Sequence, residues 1–335
     1  MSPTYIPAPE IPMISAAEAV VSALSTLQQL AVNGTPFPTV LDNTMRSAYA
    51  KCPHYYFRSF IQNLRIKGTS IHLHAGGAFA AAMEGWRKAY WERGLPAMEA
   101  ERAGLQALYD YYTAIDAEAI EPARNGDKSL EGMVRAFESY TLEYPIEHDH
   151  IKPYKMPSGE FGIEFSFAAA IPEVKHPETG DPILFCGRFD QLAEYNKMLF
   201  VEDEKTTTSL GEQWRNNWDL DSQFTGYVWG AKQFGLPVVG AIVRGIGLLK
   251  TKTTHQEVIV YRPDWQLDRW LMDLQYELED MIRDWKRNYF RFALDKAACN
   301  SYGGCAMKML CESPQPESWL DTHYEILKWD PLAKH

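Results

Sequence analysis

The sequence lacks any long apolar run and any excess of positive charge. No stretch approaches the ~20 apolar residues that a membrane-spanning helix needs, and the N-terminus has no basic region followed by an apolar segment, the pattern of a secretory signal. Lys and Arg number 33 against 44 Asp and Glu, which gives a net charge of −11 at pH 7. We therefore expect a cytoplasmic protein with no membrane partner and no broad basic surface for coating nucleic acid.

Cysteine is also scarce, with 5 residues in a chain of 335. Cys186 lies in an apolar stretch and is expected to be a small core residue. The other four could be unrelated free thiols, disulfide partners or ligands. A reducing cytosol disfavours disulfides, and three of the four fall within 13 residues. Four thiols suit an iron–sulfur cluster or a structural zinc, so we favour ligation by Cys52, Cys299, Cys305 and Cys311.

The composition, 46% hydrophobic and 23% charged, is typical of a globular protein. Apolar periodicity predicts helices over residues 44–61, 70–91, 105–120, 129–144, 220–234 and 264–292. Alternation with β-branched and aromatic residues predicts strands over residues 162–171, 183–194, 198–206, 238–250 and 257–262. This order predicts an α/β (α+β) fold, with a mixed central sheet flanked by helices.

The chain divides into three predicted regions. Residues 1–38 form an N-terminal extension with a Pro-rich start and a helix over residues 16–30. Residues 39–312 form the main domain, which includes a helical insertion and the C-terminal cysteine cluster. Residues 313–335 form a C-terminal tail.

Two neighbouring strands carry the most informative side chains. A turn at Asn196-Lys197 joins a strand that contains Asp190 to a strand that carries Asp203 and Lys205. Side chains alternate along a strand, so Asp203 and Lys205 share one face. If Asp190 shares that face, two carboxylates and an ammonium converge. Such oxygen ligands suit Mg²⁺ or Mn²⁺, and the lysine can orient an attacking water, which is the equipment for phosphodiester cleavage.

An Asp-x-Lys pattern is common in proteins. The alternative interpretation of Asp203 and Lys205 is that they are solvated charges at the end of a strand. A second copy, Asp284 to Lys286, lies in an amphipathic run and is interpreted as a solvated helix face. The Asp203 copy differs because it follows the apolar run 198–201 and has an aspartate one hairpin earlier.

Four elements together resemble the PD-(D/E)XK nuclease superfamily, in the branch with RecB-type and AddB-type nuclease domains, CRISPR-associated spacer-acquisition nucleases and phage exonucleases. Residues 187–190 (Gly-Arg-Phe-Asp) resemble its motif ending in a metal-binding aspartate, and residues 203–205 (Asp-Glu-Lys) its (D/E)-x-K motif. Residues 223–227 are similar to its Q-x-x-x-Y helix motif, and the four cysteines to its iron–sulfur frame. The resemblance covers roughly residues 42–312.

The resemblance implies a restriction-endonuclease-like core and roles for individual residues. Asp190 and Asp203 would bind Mg²⁺ or Mn²⁺, with the backbone carbonyl of Glu204 as a further ligand, and Lys205 would position the attacking water. The four cysteines would hold a cluster, of the 4Fe–4S type, with structural zinc as the lesser alternative. Gln223 and Tyr227, at i and i+4 on one helix face, would support the lysine or contact the nucleic-acid backbone, while core packing is the alternative for Tyr227.

Two departures from that branch stand out. The branch places a histidine four residues before a helical glutamate as a further metal ligand, and here Ala80 precedes Glu84. The metal site would then be completed by Glu84 or by water. The spacing of the cysteine trio also differs, with five rather than two residues between Cys299 and Cys305.

The resemblance therefore predicts a metal-dependent deoxyribonuclease, an exonuclease acting on single- or double-stranded DNA ends in recombination, repair or phage DNA processing. The sequence has no P-loop helicase motif, which favours a free-standing enzyme. A recombination or single-strand-binding protein is one expected partner, and ring-forming relatives suggest a homo-oligomer. The alternatives are an inactive nuclease-like protein that binds DNA ends and recruits partners, and a zinc-dependent interaction module.

Overall fold

The computed structural model describes residues 35–115, 120–121, 127–300 and 304–332. The helix predicted over residues 16–30 lies outside this part of the chain. No helix within it is long and apolar enough to cross a membrane. The strands are β1 Val40–Leu41, β2 Leu64–Ile66, β3 Thr69–Ser70, β4 Ile120–Glu121, β5 Lys152–Pro153, β6 Ile163–Lys175, β7 Pro182–Tyr195, β8 Met198–Thr207, β9 Val238–Leu248, β10 Thr253–Tyr261 and β11 Tyr324–Ile326.

Helices account for most of the remaining chain that the structure describes. Wider π-type turns over Phe57–Ile61 and Lys88–Glu92 extend the second and third helices. The α-helices are α1 Asn43–Lys51, α2 Pro53–Tyr56, α3 Ile71–Arg87, α4 Ala97–Thr113, α5 Leu130–Glu143, α6 Glu212–Asn216, α7 Ser222–Gln233, α8 Asp264–Arg287, α9 Ala297–Asn300, α10 Lys308–Glu312 and α11 Glu317–His323.

A mixed sheet forms the centre of the molecule. β6, β7 and β8 make an antiparallel meander, β9 lies parallel to β8, and β10 returns antiparallel to β9. β1 and β5 add short pairings to β7. A parallel β8–β9 pair needs a crossover connection, and α6 and α7 lie in that connection. The predicted mixed α/β architecture is confirmed.

The two faces of the sheet bury separate cores. Ala241 and Val243 of β9 pack into a large core together with α7 and α8, whereas Ile246 and Leu248 pack against α3, α4 and α5. Successive residues of a strand point to opposite faces, so this split follows from the alternation along β9. The carboxylates of β8 are divided between the faces in the same way.

Several element boundaries follow from local backbone chemistry. Asn196 and Lys197 have φ of 49° and 62°, so the predicted hairpin turn between β7 and β8 is left-handed at both residues. The last long helix ends at residue 287, earlier than the predicted 292, because Asn288 caps it with φ 56°. The helix predicted over 105–120 is displaced and spans Ala97–Thr113.

The last described residues pack against the region that carries Cys52. β11 pairs antiparallel with β2. Trp329 Nε1 donates a hydrogen bond of 3.0 Å to Asp42 Oδ2, and its ring packs edge-on against Phe60 at 6.0 Å. Residues 324–329 thereby contact the first helices, and the domain boundary at residue 313 stays a prediction.

Candidate active site

The candidate site lies where the ladder between β7 and β8 ends. The last ladder pair is Gln191 with Glu202, and Asp190 and Asp203 are the next residues of the two strands. The charge of Asp203 raises the pKa of Asp190, so the two carboxylates are close in space. The hairpin thus brings the two predicted aspartates together.

Hydrogen bonds and an ion pair fix these side chains. Asp190 Oδ2 accepts a hydrogen bond of 2.7 Å from the backbone N–H of Glu204. Asp203 forms an ion pair with Lys205, two residues along the same strand face. The structure therefore brings Asp190, Asp203 and Lys205 together, as the sequence predicts.

Burial and neighbouring charges shift the ionisation of all three groups. Burial raises the pKa of Asp190 well above its usual value, and the nearby carboxylates of Asp203, Glu204 and Glu164 raise it further. Burial also raises the pKa of Asp203, against the opposing effect of Lys205. Burial alone would lower the pKa of Lys205, but Asp203 and Asp190 outweigh it and raise that pKa. The balance of these effects favours the protonated form of Lys205, which donates hydrogen bonds.

Helix α7 brings the predicted Gln–Tyr pair to this point. Gln223 Nε2 donates a hydrogen bond of 2.7 Å to the Tyr227 hydroxyl. Burial raises the pKa of Tyr227 well above its ordinary value, and Asp203 adds to that shift, so the phenol lies within electrostatic reach of the carboxylates. The ring packs so closely that a Cβ at Gly187 would stand 2.8 Å from it, which explains the glycine before Asp190.

The opposite face of β8 holds a buried charge network. Arg87 of α3 donates hydrogen bonds to Glu202 at 3.0 Å and to Glu204 at 3.1 Å, and the Tyr140 hydroxyl donates to Glu204 at 2.8 Å. Burial opposes ionisation of Glu204, yet Arg87 lowers its pKa below the usual value. The Glu204 side chain is therefore engaged away from the aspartates, and only its backbone carbonyl fits the predicted ligand role.

Glu84 lies one helical turn after Ala80 on α3. Its carboxylate accepts a 2.5 Å ion-pair hydrogen bond from Lys88, and the side chain is 34% exposed. Glu84 also raises the pKa of Glu164, which places it near the row of carboxylates on the sheet. The methyl group of Ala80 offers no ligand atom, so α3 contributes one carboxylate here and no imidazole.

Sequence reasoning missed Glu164. The β6–β7 ladder pairs the residues on either side of Glu164 with those on either side of Asp190, so the two carboxylates lie on neighbouring strands. Glu164 has φ 53°, a left-handed conformation that is costly for a strand residue with a side chain. Burial raises its pKa to about 7, although Arg188 at 3.2 Å opposes the shift. Glu164, Asp190 and Asp203 thus form a row of carboxylates across three strands.

This arrangement fits a hard divalent cation. No three His, Cys, Asp or Glu side chains in the described part of the chain are arranged to hold a metal ion by themselves. Mg²⁺ needs fewer protein ligands than three, because it keeps several waters and binds proteins through one or two carboxylates. Asp190 and Asp203 would supply those two, and a bound cation would relieve their mutual repulsion.

The four remaining cysteines lie in one neighbourhood. Burial raises the pKa of Cys305, and the nearby thiols of Cys52 and Cys299 raise it further, as they do for Cys311. Cys305 N–H donates a hydrogen bond of 2.9 Å to the Cys299 carbonyl across the predicted loop. In number and neighbourhood these residues fit a four-thiolate cofactor, although they are not arranged to share one ion. Cys186 is fully buried elsewhere, as predicted.

Comparison with known proteins assigns the chain to a family. The family profile described as the PD-(D/E)XK nuclease superfamily matches residues 44–312. The chain belongs to the PD-(D/E)XK nuclease superfamily, whose members hydrolyse phosphodiester bonds. The matched range includes the candidate site and all five cysteines.

Some solved structures are distantly similar to this chain. A provisionally named exonuclease from Eubacterium rectale is 11% identical, with a TM-score of 0.46, over 86% of this chain and 91% of that one. The protein SSO0001 is 12% identical, with a TM-score of 0.31, over 74% of this chain and 87% of that one. A search of curated protein sequences finds no match.

Proposed function

We propose that this protein is a metal-dependent deoxyribonuclease that degrades linear DNA from its ends. The observation that carries the proposal is the convergence of Asp190, Asp203 and Lys205 where the β7–β8 ladder ends. Two carboxylates and a protonated lysine at one point match the needs of phosphodiester hydrolysis, in which negative charge builds on the phosphate.

Each side chain has a distinct part in the reaction. Asp190 and Asp203 would hold the cation, with the Glu204 backbone carbonyl and either Glu84 or water as further ligands. A bound Mg²⁺ or Mn²⁺ would supply Lewis-acid stabilisation of the phosphate. The Lys205 ammonium donates hydrogen bonds that orient the attacking water. Gln223 and Tyr227 border the site and contact the DNA backbone or hold Lys205 in place.

Action on DNA ends rests on the resemblance to the RecB-like and AddB-like branch. That branch commonly degrades DNA from ends, so an exonuclease role in recombination, repair or phage DNA processing is part of the proposal.

The four clustered cysteines are proposed to hold an iron–sulfur cluster with a structural role. Cys52 lies on the N-terminal side of the fold and the other three near its C-terminal end. A shared cofactor would close a loop of roughly 250 residues, whose closure entropy otherwise opposes folding. Zinc is the alternative ion for the same thiols.

A second candidate function is DNA-end binding with little or no cleavage. Ala80 supports it, because the helix position before Glu84 offers no imidazole to the metal. The paired aspartates and Lys205 argue for the enzyme, since a binding protein has no need of two buried carboxylates that repel each other.

Cleavage of end-labelled DNA tests the proposal. Linear single-stranded and double-stranded substrates, with closed circles beside them, are incubated with Mg²⁺ or Mn²⁺. The variants are Asp203→Asn and Lys205→Met, and Lys286→Met is the matched control because Lys286 is the exposed lysine of the second Asp-x-Lys copy, on α8. We expect metal-dependent loss of linear DNA only, abolished by the first two substitutions and unaffected by the third.

Two results would contradict the proposal. Equal cleavage by Asp203→Asn and wild type would remove the candidate site from the chemistry. DNA-end binding without cleavage, by folded wild type with metal present, would favour the second candidate function.

A further inference from the structure

A cleft of about 690 Å³ opens beside the row of carboxylates. One wall is the C-terminal end of α3 with the π-type turn Lys88–Glu92, and the other is the β-hairpin over residues 155–161. Glu164 lines the cleft and also lies on the strand position opposite Asp190. Glu84, a proposed metal ligand, lines the cleft as well, so the cleft adjoins the candidate active site.

Aromatic rings from both walls meet in this cleft. The centroids of Trp91 and Phe161 are 5.6 Å apart, with their planes at 49°. Both side chains are half-buried, so each ring keeps part of its surface available. Lys155 Nζ lies 5.5 Å from the Phe161 centroid, and it has no carboxylate partner among the residues that the structure describes. An aromatic pair beside a free ammonium suits a flat ligand attached to an anion.

The charged groups of the cleft are of both signs. Lys88 is paired with Glu84, and Arg188 with Glu164. The remaining lining charges are Lys155, Glu92 and Glu160. A purely anionic ligand would be repelled by the carboxylates, whereas a nucleobase is uncharged and its amino groups can donate hydrogen bonds to them. Bases stack on aromatic side chains with little dependence on sequence.

We infer that this cleft binds an unpaired nucleotide next to the scissile phosphate, with its base against Trp91 and Phe161 and Lys155 on a flanking phosphate. The inference rests on the proposed nuclease function and gives its substrate class as DNA with a single-stranded end. A base in a duplex is stacked and paired, so its faces are not available to the two rings. The volume lies in the roughly 300–1,000 Å³ range of small-ligand pockets, which suits a single nucleotide.

Photo-cross-linking tests the location of the base. The Asp203→Asn protein, with Ca²⁺ present, is irradiated with a single-stranded oligonucleotide that carries iododeoxyuridine at its end, and cross-linked peptides are identified by mass spectrometry. We expect cross-links to the peptides that contain Trp91 or Phe161. Cross-links confined to other peptides would overturn the inference.

Affinity measurements test the energetic role of the rings. Trp91→Leu and Phe161→Leu keep apolar bulk and remove the aromatic face, and Trp265→Leu is the control because Trp265 is 64% exposed on α8. Each cleft variant should weaken single-strand binding about fivefold or more, which corresponds to about 1 kcal/mol, the lower bound for a stacked base. Blunt-duplex binding should be unchanged. Circular dichroism confirms that each variant is folded.

The outcomes separate this inference from the nuclease proposal. Wild-type cleavage, with single-strand affinity unchanged in both cleft variants, would refute the cleft assignment and leave the nuclease intact. Cross-linking at Trp91 or Phe161, together with no cleavage by the wild type, would support the cleft as a nucleotide-binding site and refute the nuclease proposal.

Discussion

The backbone N–H of Glu204 donates a hydrogen bond of 2.7 Å to Asp190, across the point where the β7–β8 ladder stops. The carboxylate takes the place of a main-chain acceptor, which fixes its position relative to Asp203. On the other face of the sheet, Arg87 holds the side chain of Glu204. One residue of β8 therefore links the candidate metal ligands to the helix layer behind them.

Replacing Asp190 by Asn should separate stability from activity. The amide oxygen can still accept the Glu204 hydrogen bond, while the like-charge repulsion with Asp203 and Glu164 disappears. We expect cleavage of linear DNA to fall at least a hundredfold, as is typical for loss of an essential catalytic interaction. The melting temperature in EDTA should be no lower than that of wild type. A lower melting temperature with cleavage retained would show that Asp190 is structural.

Divalent cations should stabilise the wild type. A ligand that binds only the folded state at 100 times its Kd adds about 2.7 kcal/mol to the free energy of unfolding. We expect Mg²⁺ or Mn²⁺ to raise the melting temperature of wild type and to have no effect on an Asp190→Asn/Asp203→Asn double variant. An equal shift in both proteins would place the cation elsewhere.

Glu164→Gln tests the residue that the sequence did not reveal. The amide keeps the size of the side chain and removes its charge beside Asp190. Mutating a residue that supports a metal ligand lowers affinity or activity by roughly 10- to 100-fold. We therefore expect metal affinity and cleavage each to drop roughly tenfold. The matched control is Glu173→Gln, which alters an exposed carboxylate on the same strand that also has a left-handed backbone, with φ 67°. Steady-state cleavage against metal concentration gives both quantities. Identical curves for the two variants would assign Glu164 no part in metal binding.

Arg87→Leu should destabilise the fold strongly. It would leave Glu202 and Glu204 buried without their cation, and breaking a buried ion pair costs about 3–5 kcal/mol. Arg135→Leu is the comparison, since Arg135 is 42% exposed in its pair with Asp127, and surface pairs contribute about 0–1 kcal/mol. Urea unfolding measures both losses of free energy. Losses of similar size would mean that the Arg87 network contributes little.

Cys186 should resist alkylation in the native protein. Burial raises its pKa to about 12, so the reactive thiolate does not form between about pH 7 and pH 9. We expect iodoacetamide to leave this residue unmodified across that range and to modify it after unfolding in guanidinium. Peptide mass spectrometry reads the result. Native labelling that increases over this pH range would indicate an accessible thiol with a lower pKa.

The sequence predicts the meander well because its signals are local. Alternation defines β6, β7 and β8 to within a few residues, and the left-handed turn at Asn196 and Lys197 sets a register that brings Asp190 and Asp203 to the same end of the β7–β8 ladder. The Gln223–Tyr227 contact follows from helix periodicity alone. The central residues of the candidate site could therefore be predicted from the sequence without knowledge of any tertiary contact.

Features that depend on tertiary position could not be predicted. The register of the β6–β7 pair shifts between Ala170 and Lys175, close to the loop that joins the two strands. Counting residues from that loop therefore does not reveal that Glu164 lies opposite Asp190. Arg87 stands beside Lys88 in a helix and has the pattern of a surface residue. Only the packing of α3 over β8 buries it to 4% exposure.

The hydrogen bond between Trp329 and Asp42 joins residues 287 positions apart. During synthesis on the ribosome, α1 and β2 emerge long before their partners β11 and Trp329. The intervening chain, which includes the whole central sheet, is translated before these contacts can form. The surface of α1 and β2 that β11 and Trp329 cover therefore stays open to solvent until then.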